Sequence, residues 1–390
     1  MKILHFCWEY PPRGSGVGKY IGEISAGLRR LGHQTIIATS RGDGLPEEET
    51  LAGGRIYRMY DVGDIGKALV TDRVLALARE HGVDLIEAVD HLGEAADLLR
   101  RPARPPVLIN CRYNDVVLRA RYAQAWYGWQ RRAIDLACWR DFRRLGRERY
   151  SIEHADLLAA PSGWMLEALR AQGVRLPART AVLPKPLDSI PGWTNAEAAA
   201  PTLLLVGRID VGKGVPYLRD LLERVSRRHP GVVLEFAGED GYARFLGSMR
   251  AWTERQLGEQ RGRVRFLGRL GPQELDQAYR RAWVVLVPSR WDTSPTALLE
   301  AMVRAKPVVA SPFGGMAEYM GGNGEWIADP GRPAFADAVA RLLGDADLRK
   351  AVGRQLQNRA AQEYNPAGAA QKYVDFIRGN PAMSNGMSPA

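Results

Sequence analysis

The chain opens Met1-Lys2-Ile3-Leu4-His5-Phe6-Cys7-Trp8 and then runs through a proline- and glycine-rich stretch, Pro11 to Gly18. The opening run, Lys2 to Trp8, has the length and apolar character of a buried strand. Beyond the loop, Ile21, Ile24, Leu28 and Leu31 recur at spacings of 3, 4 and 3, which puts all four on one face of a helix. Gly32 supplies its C-terminal stop, and Thr35 to Thr39 is a second β-rich run. Strand, helix, strand is the repeating unit of a parallel α/β sheet.

The alternation continues outward through Asp84 to Val89, Pro106 to Asn110 and Asp156 to Ala160. Periodicity then lapses at Pro184-Lys185-Pro186 and over Ile190 to Ala200, a stretch rich in Pro, Gly, Asn and Ala. It restarts with Leu203 to Val206, a helix around Pro216 to Arg227, and Val232 to Ala237, followed by strand candidates at Val264 to Leu267, Trp283 to Val287 and Pro307 to Ala310. The pattern predicts two successive doubly wound α/β domains. The expected boundaries are 1–190, a linker at 191–200, a second domain at 201–364, a helix at 365–380 packing back on the first domain, and a flexible tail at 381–390.

The 390 residues, 46% hydrophobic and 25% charged, exclude collagen-like, coiled-coil and wholly disordered readings. Cys7, Cys111 and Cys138 are widely spaced with no Cys-x-x-Cys, which argues against a disulfide framework or a zinc site and for a reducing cytoplasm. The N-terminus lacks a signal peptide's long apolar region, and no stretch approaches the roughly 18 apolar residues of a membrane span. The net charge of +10 is concentrated between Arg100 and Arg149, where 13 Arg meet four acids among Tyr122, Trp126, Tyr127, Trp129, Trp139 and Phe142. Such a stretch suits peripheral contact with an anionic membrane or a diphosphate-linked acceptor; the plainer reading is a solvated helical face. No nucleic-acid motif accompanies the charge.

Two near-miss motifs are set aside. Gly207-Arg208-Ile209-Asp210-Val211-Gly212-Lys213-Gly214 matches a P-loop at seven of eight positions, but Gly214 stands where Ser or Thr must hold magnesium. Gly14-Ser15-Gly16-Val17-Gly18-Lys19 lacks the third glycine of a dinucleotide fingerprint. In Trp291-Asp292-Thr293-Ser294-Pro295-Thr296-Ala297-Leu298-Leu299-Glu300, Ser294 reads as an N-cap and Pro295 as the first helical residue. The amides of Thr296 and Ala297 would then face a phosphate, with Glu300 leaning back toward a ribose diol. Arg208 and Lys213 follow the first strand of the second domain, at the edge where doubly wound sheets bind ligands, and two cations there would neutralise a diphosphate without a metal. Metal is not expected: Asp345-Ala346-Asp347 reads as a helix cap, and the histidines at 5, 33, 81, 91, 154 and 229 form no ligand pair.

Gly207-Arg208 through Lys213-Gly214, and Asp292 through Glu300 with Ala301-Met302 and Lys306-Pro307-Val308-Val309-Ala310, resemble the family 4 retaining glycosyltransferases of GT-B fold. The Pro11 to Gly18 loop, Ile86-Glu87-Ala88, and Ala155-Asp156 with Pro161-Ser162 look like that family's N-terminal landmarks. The resemblance runs from Met1 to about Arg378 and is looser from about 40 to 150. It implies two Rossmann-like domains facing a central cleft, and transfer of a sugar from a nucleoside-diphosphate donor to an acceptor hydroxyl on a sugar or glycolipid, as in polysaccharide or glycoconjugate synthesis. It implies no cofactor beyond the donor itself.

By the same resemblance Arg208 and Lys213 would hold the diphosphate, Glu300 the ribose, and Gly16 and Gly18 would let the first domain's loop approach the donor. Asp292 falls where the family usually has glutamate, the acid that contacts the donor sugar. Arg112 falls where it often has a histidine near the reacting sugar, and His91 is the nearest replacement. A nucleotide-sugar epimerase on the same fold and a non-catalytic nucleotide-sugar-binding protein are the rival readings.

Overall fold

In the computed structural model, residues 1–12, 16–64, 67–112, 117, 142–243, 246–321 and 323–379 are described. They group into two units, one of Met1–Pro186 with the chain from Asn365 onward, the other Leu187–Tyr364.

The first unit is built on β1 (Lys2–Phe6), β2 (Gln34–Ser40), β3 (Glu48–Leu51), β4 (Gly54–Tyr60), β5 (Leu85–Val89), β6 (Val107–Asn110), β7 (Leu157–Ala160) and β8 (Thr180–Val182). They form one sheet in the order β3-β4-β2-β1-β5-β6-β7-β8, parallel except for the β3–β4 pair. The central strands β5, β6 and β7 are buried throughout, as expected of parallel strands covered on both faces. The helix Gly16–Arg30 covers one face with Val17, Tyr20, Ile21, Ile24 and Leu28. Against it lies the helix Pro366–Arg378, so close that a Cβ on Gly27 would meet the Pro366 carbonyl oxygen at 2.7 Å. That C-terminal helix buries Tyr373, Val374 and Phe376, each contributing on the order of 1.5–3 kcal/mol.

The second unit carries β9 (Thr202–Val206), β10 (Val233–Ala237), a two-residue pairing of β11 (Tyr242–Ala243) with β12 (Gly247–Ser248), then β13 (Val264–Gly268), β14 (Val284–Val287) and β15 (Val308–Ala310). Its sheet is parallel in the order β13-β10-β9-β14-β15. Both units are therefore doubly wound, and each sheet has a switch point, between β1 and β5 in the first and between β9 and β14 in the second, where ligands bind beyond the carboxyl ends.

The structure departs from the sequence reading in places. The first strand ends at Phe6, with Cys7 joined to β2 through its amide on the Ala38 carbonyl. The β3–β4 hairpin was not predicted, because its outer strand is polar and exposed; β4, though, alternates Ile56, Arg58 and Tyr60 inward. Residues 191–200, expected as linker, lie within the second unit. Ala196 and Ala198 donate to the Arg280 and Arg281 carbonyls, and Glu197 pairs with Arg349 at 2.8 Å. The chain passes between the units at Pro186/Leu187 and again at Tyr364/Asn365.

The expected tail, 381–390, and Cys138 lie outside the described residues, as do 113–116 and 118–141 of the Arg/Trp-rich stretch. Cys7 and Cys111 are free and buried. Among the described residues no helix is long and apolar enough to cross a membrane.

Candidate active site

The second unit's switch point is where its chemistry gathers. After β9 the chain enters Gly207 at φ 145 and Asp210 caps a short 3-10 turn, Val211–Lys213, its carboxylate accepting from the Lys213 amide at 2.9 Å. This is not a phosphate cradle opening directly into a helix, since the α-helix starts only at Leu218. Gly214 holds φ 86, and a Cβ there would lie 2.3 Å from the Pro288 carbonyl oxygen, so the loop after β9 is pressed onto the loop after β14. The Arg290 amide bonds the Gly212 carbonyl across the same seam.

This packing brings Lys213 Nζ to 2.6 Å from Asp292 Oδ2. Burial pulls the Lys213 ammonium down, but Asp292, with Asp210 behind it, outweighs that and holds it above its ordinary value. Lys213 is therefore a cation at neutral pH. Arg208 is 61% exposed, with Nε on Asp210 Oδ2 at 2.9 Å, so one aspartate organises both cations.

The helix that follows runs Thr296–Val303, one residue later than the sequence suggested. Pro295, at φ −68 and ψ 92, is the cap, not the first helical residue. Ser294 does not cap: its amide is taken by Asp292 Oδ1 at 3.2 Å and its hydroxyl lies 3.4 Å from the Tyr319 hydroxyl. The amides of Thr296 and Ala297 remain in the first turn, where no intrahelical carbonyl can serve them and the helix dipole favours an anion. Glu300 is 7% exposed, and its Oε2 accepts from the Tyr279 hydroxyl at 3.1 Å. Burial, then Glu300, raises the Tyr279 phenol well above its ordinary range, so it stays a donor.

The sequence reading missed three contributors here. Asp210 sat inside the quoted glycine motif without being assigned a role. Tyr279 fixes Glu300 from 21 positions away. Gly314 and Gly315, a doublet after β15, close on Asp292: the Gly315 amide bonds its carbonyl at 2.9 Å, and a Cβ on Gly314 would meet that oxygen at 2.3 Å. The doublet was the available signal.

In the first unit, Gly16, Gly18, His91 and Arg112 follow β1, β5 and β6 at the carboxyl edge. Gly16 and Gly18, expected in a loop, belong to the first turn of the helix Gly16–Arg30. Gly18 donates its amide to Glu9 Oε1 at 3.4 Å, and the Gly16 carbonyl accepts from Lys185 Nζ at 3.1 Å. His91 begins a 3-10 turn and its ring lies 5.6 Å from that of Trp8. Arg112 is buried, its backbone amide on Asp90 Oδ1 and its guanidinium on the Leu183 carbonyl and 3.6 Å over the Tyr20 ring. Tyr20 in turn donates to Glu87, a fully buried carboxylate that also takes Asn110 at 2.7 Å and Tyr373 at 2.7 Å and lies 2.9 Å from His5 Nδ1. Among the described residues no group of His, Cys, Asp and Glu is placed to hold a metal.

Known proteins share this plan. A family model described as glycosyl transferase 4-like domain matches residues 15–186, and one described as glycosyl transferases group 1 matches 200–345. The chain is 24% identical to a glycogen synthase of Mycobacterium tuberculosis, over 97% of this chain and 96% of that one. Among solved structures, sucrose-phosphate synthase from Thermosynechococcus elongatus superposes with a TM-score of 0.78 at 21% identity, covering 98% of this chain and 99% of the other. The Anabaena protein HepE, solved with UDP-glucose, superposes at 0.71 and 19% identity, covering 97% and 100%. With the two models matched in succession over both doubly wound units, the chain belongs to the family 4 (group 1) glycosyltransferases of GT-B fold.

Proposed function

We propose that the protein is a retaining glycosyltransferase that takes a sugar from a nucleoside-diphosphate donor and passes it to an acceptor hydroxyl. The observation that carries this is the Lys213–Asp292 pair at the second sheet's switch point, with Thr296 and Ala297 in the first turn of the helix that follows Asp292. The solved neighbour holding UDP-glucose supports a nucleotide sugar as donor.

As the bond between the anomeric carbon and the diphosphate oxygen breaks, negative charge builds on the leaving group. Lys213, Arg208 and the two amides are the groups that would neutralise it, without a metal. Glu300, held by Tyr279, would accept from the ribose diol, and Asp292 would face the sugar. The acceptor oxygen would bond the anomeric carbon on the face the diphosphate leaves, its proton passing to a phosphate oxygen, which keeps the anomeric configuration. On the family resemblance Gly16 and Gly18 are assigned to the donor, and Arg112 and His91 to the reacting sugar.

The test is a melting-temperature panel with UDP, GDP, ADP and TDP on wild type and Lys213→Ala, followed by transfer assays with the matching nucleotide sugars and NMR of the product anomer. A magnesium-independent shift of about 2–3 kcal/mol at saturating ligand, lost in the variant, supports the reading. A shift that survives in Lys213→Ala, or product formed without any acceptor as an epimerase would form it, sinks it.

A further inference from the structure

The first unit has a concave feature at the opposite edge of its sheet from Arg112 and His91. An open cleft of about 420 Å³ lies where β6 and β7 begin, lined by Arg100, Arg101, Pro102, Arg104, Pro106 and Asp156. Arg104 and Pro106 precede β6 and Asp156 precedes β7, whereas Arg112 follows β6 at the far end.

Each arginine is braced from behind. Arg100 Nη1 bonds Asp97 at 2.7 Å and its guanidinium lies 4.4 Å over the Tyr150 ring. Arg101 Nη2 bonds Asp72 at 2.8 Å. Arg104 Nη1 bonds Asp156, which the Val107 amide fixes at 2.7 Å. A guanidinium has five donors, so the contacts above leave most of those on Arg100 and Arg101 unused. Three arginines, each paired with one aspartate yet with donors to spare and held in place by those partners and by proline-restricted backbone, are suited to a phosphate or sulfate head, which accepts from several planar forks at once.

We propose that this cleft binds a phosphate monoester, at a site distinct from the nucleotide site in the second unit. The same chemistry is presented by a soluble phosphate ester and by the headgroup of phosphatidic acid.

The experiment titrates glycerol 3-phosphate calorimetrically into the full chain as wild type, Arg100→Gln/Arg101→Gln, and Lys213→Ala. Binding in wild type and Lys213→Ala, weakened about tenfold or more in the double variant by the lost charge-assisted bonds, is the expected result. Arg101→Glu, a single change at a 42% exposed side chain, provides a second variant should the double one fold poorly. Sedimentation with phosphatidylcholine vesicles, with and without phosphatidic acid, then separates the sources. Acid-dependent pelleting displaced by glycerol 3-phosphate identifies a lipid headgroup, and calorimetric binding without pelleting identifies a soluble ester. No binding of either probe, binding unchanged in both arginine variants, or binding lost in Lys213→Ala overturns the proposal.

Discussion

Lys213 Nζ and Asp292 Oδ2 lie 2.6 Å apart although 79 positions separate them in the chain. By the family resemblance Asp292 stands where glutamate is usual, and here its carboxylate pairs with the cation of the neighbouring loop. A diphosphate bound as proposed would compete with it for Lys213. Asp292→Asn is therefore expected to tighten binding of the free nucleoside diphosphate by about three- to tenfold, while lowering sugar transfer. Weaker nucleotide binding in a calorimetric titration of this variant would show that Asp292 supports the anion site instead of opposing it.

Gly314→Ala and Gly268→Ala form a matched pair. Both glycines hold positive φ, 100 and 71, but a Cβ on Gly314 would sit 2.3 Å from the Asp292 carbonyl oxygen whereas Gly268 has open space. Gly268→Ala should cost about 1 kcal/mol of backbone strain. Gly314→Ala should cost several kcal/mol or displace Asp292, seen as a larger fall in urea midpoint together with lost transfer. Equal costs would mean the loop yields freely.

Tyr373→Phe removes one of the donors on Glu87, the buried carboxylate that joins β5 to the C-terminal helix. Burial alone would raise Glu87, but His5, Tyr373 and Asn110 outweigh it and hold the carboxyl below its ordinary value. A depressed carboxyl contributes stability that is present above its unfolded value and lost as pH falls through the folded one. The variant should be about 1–3 kcal/mol less stable at neutral pH, and the gap to wild type should narrow in acid. Urea unfolding at several pH values measures it; a gap that is constant with pH would detach Tyr373 from the ionised carboxylate.

Lys306 acts in the same direction but in an alkaline window. It is 1% exposed, donates to the Arg280 and Ala282 carbonyls, and burial holds it down at about 8 against an ordinary 10.5. Between those values the unfolded chain binds the proton and the folded chain does not. Stability from this group therefore rises with pH across that window, by up to about 3 kcal/mol. A neutral amine still has two N–H donors for the two carbonyls. Lys306→Met should flatten this segment of the stability–pH curve, and an unchanged slope would assign it to other groups.

Much of this molecule was written locally. The spacing of Ile21, Ile24 and Leu28 and the apolar runs at β1, β5, β6, β9 and β14 specify helix and strand through side-chain period alone, because a parallel sheet buried on both faces requires continuous apolar strands; Leu31, expected on the same helix face, lies past the helix end and is exposed. The glycine motif at 207–214 and the stretch from Asp292 to Glu300 announced their chemistry for a similar reason: each follows a strand, and the carboxyl edge of a doubly wound sheet is where ligands bind. Polar or irregular segments were not legible. The β3–β4 hairpin hid behind Glu48, Glu49 and Thr50, and the stretch 191–200 read as linker because its order comes from partners far along the chain, such as Arg280 stacked 4.1 Å over Trp193.

The sequence by itself determined two doubly wound units and the side chains available at their edges. Which of those side chains meet was decided by tertiary structure alone. Lys213 reaches Asp292 because β14 lies beside β9, and Glu87 meets Tyr373 across 286 positions because the C-terminal helix packs on Gly27. Local periodicity encodes which face of an element is apolar, since that is a property of neighbours in the chain. Pairing of charges across a sheet depends on strand order and on how closely two loops can approach, and those distances are set only once the core has packed.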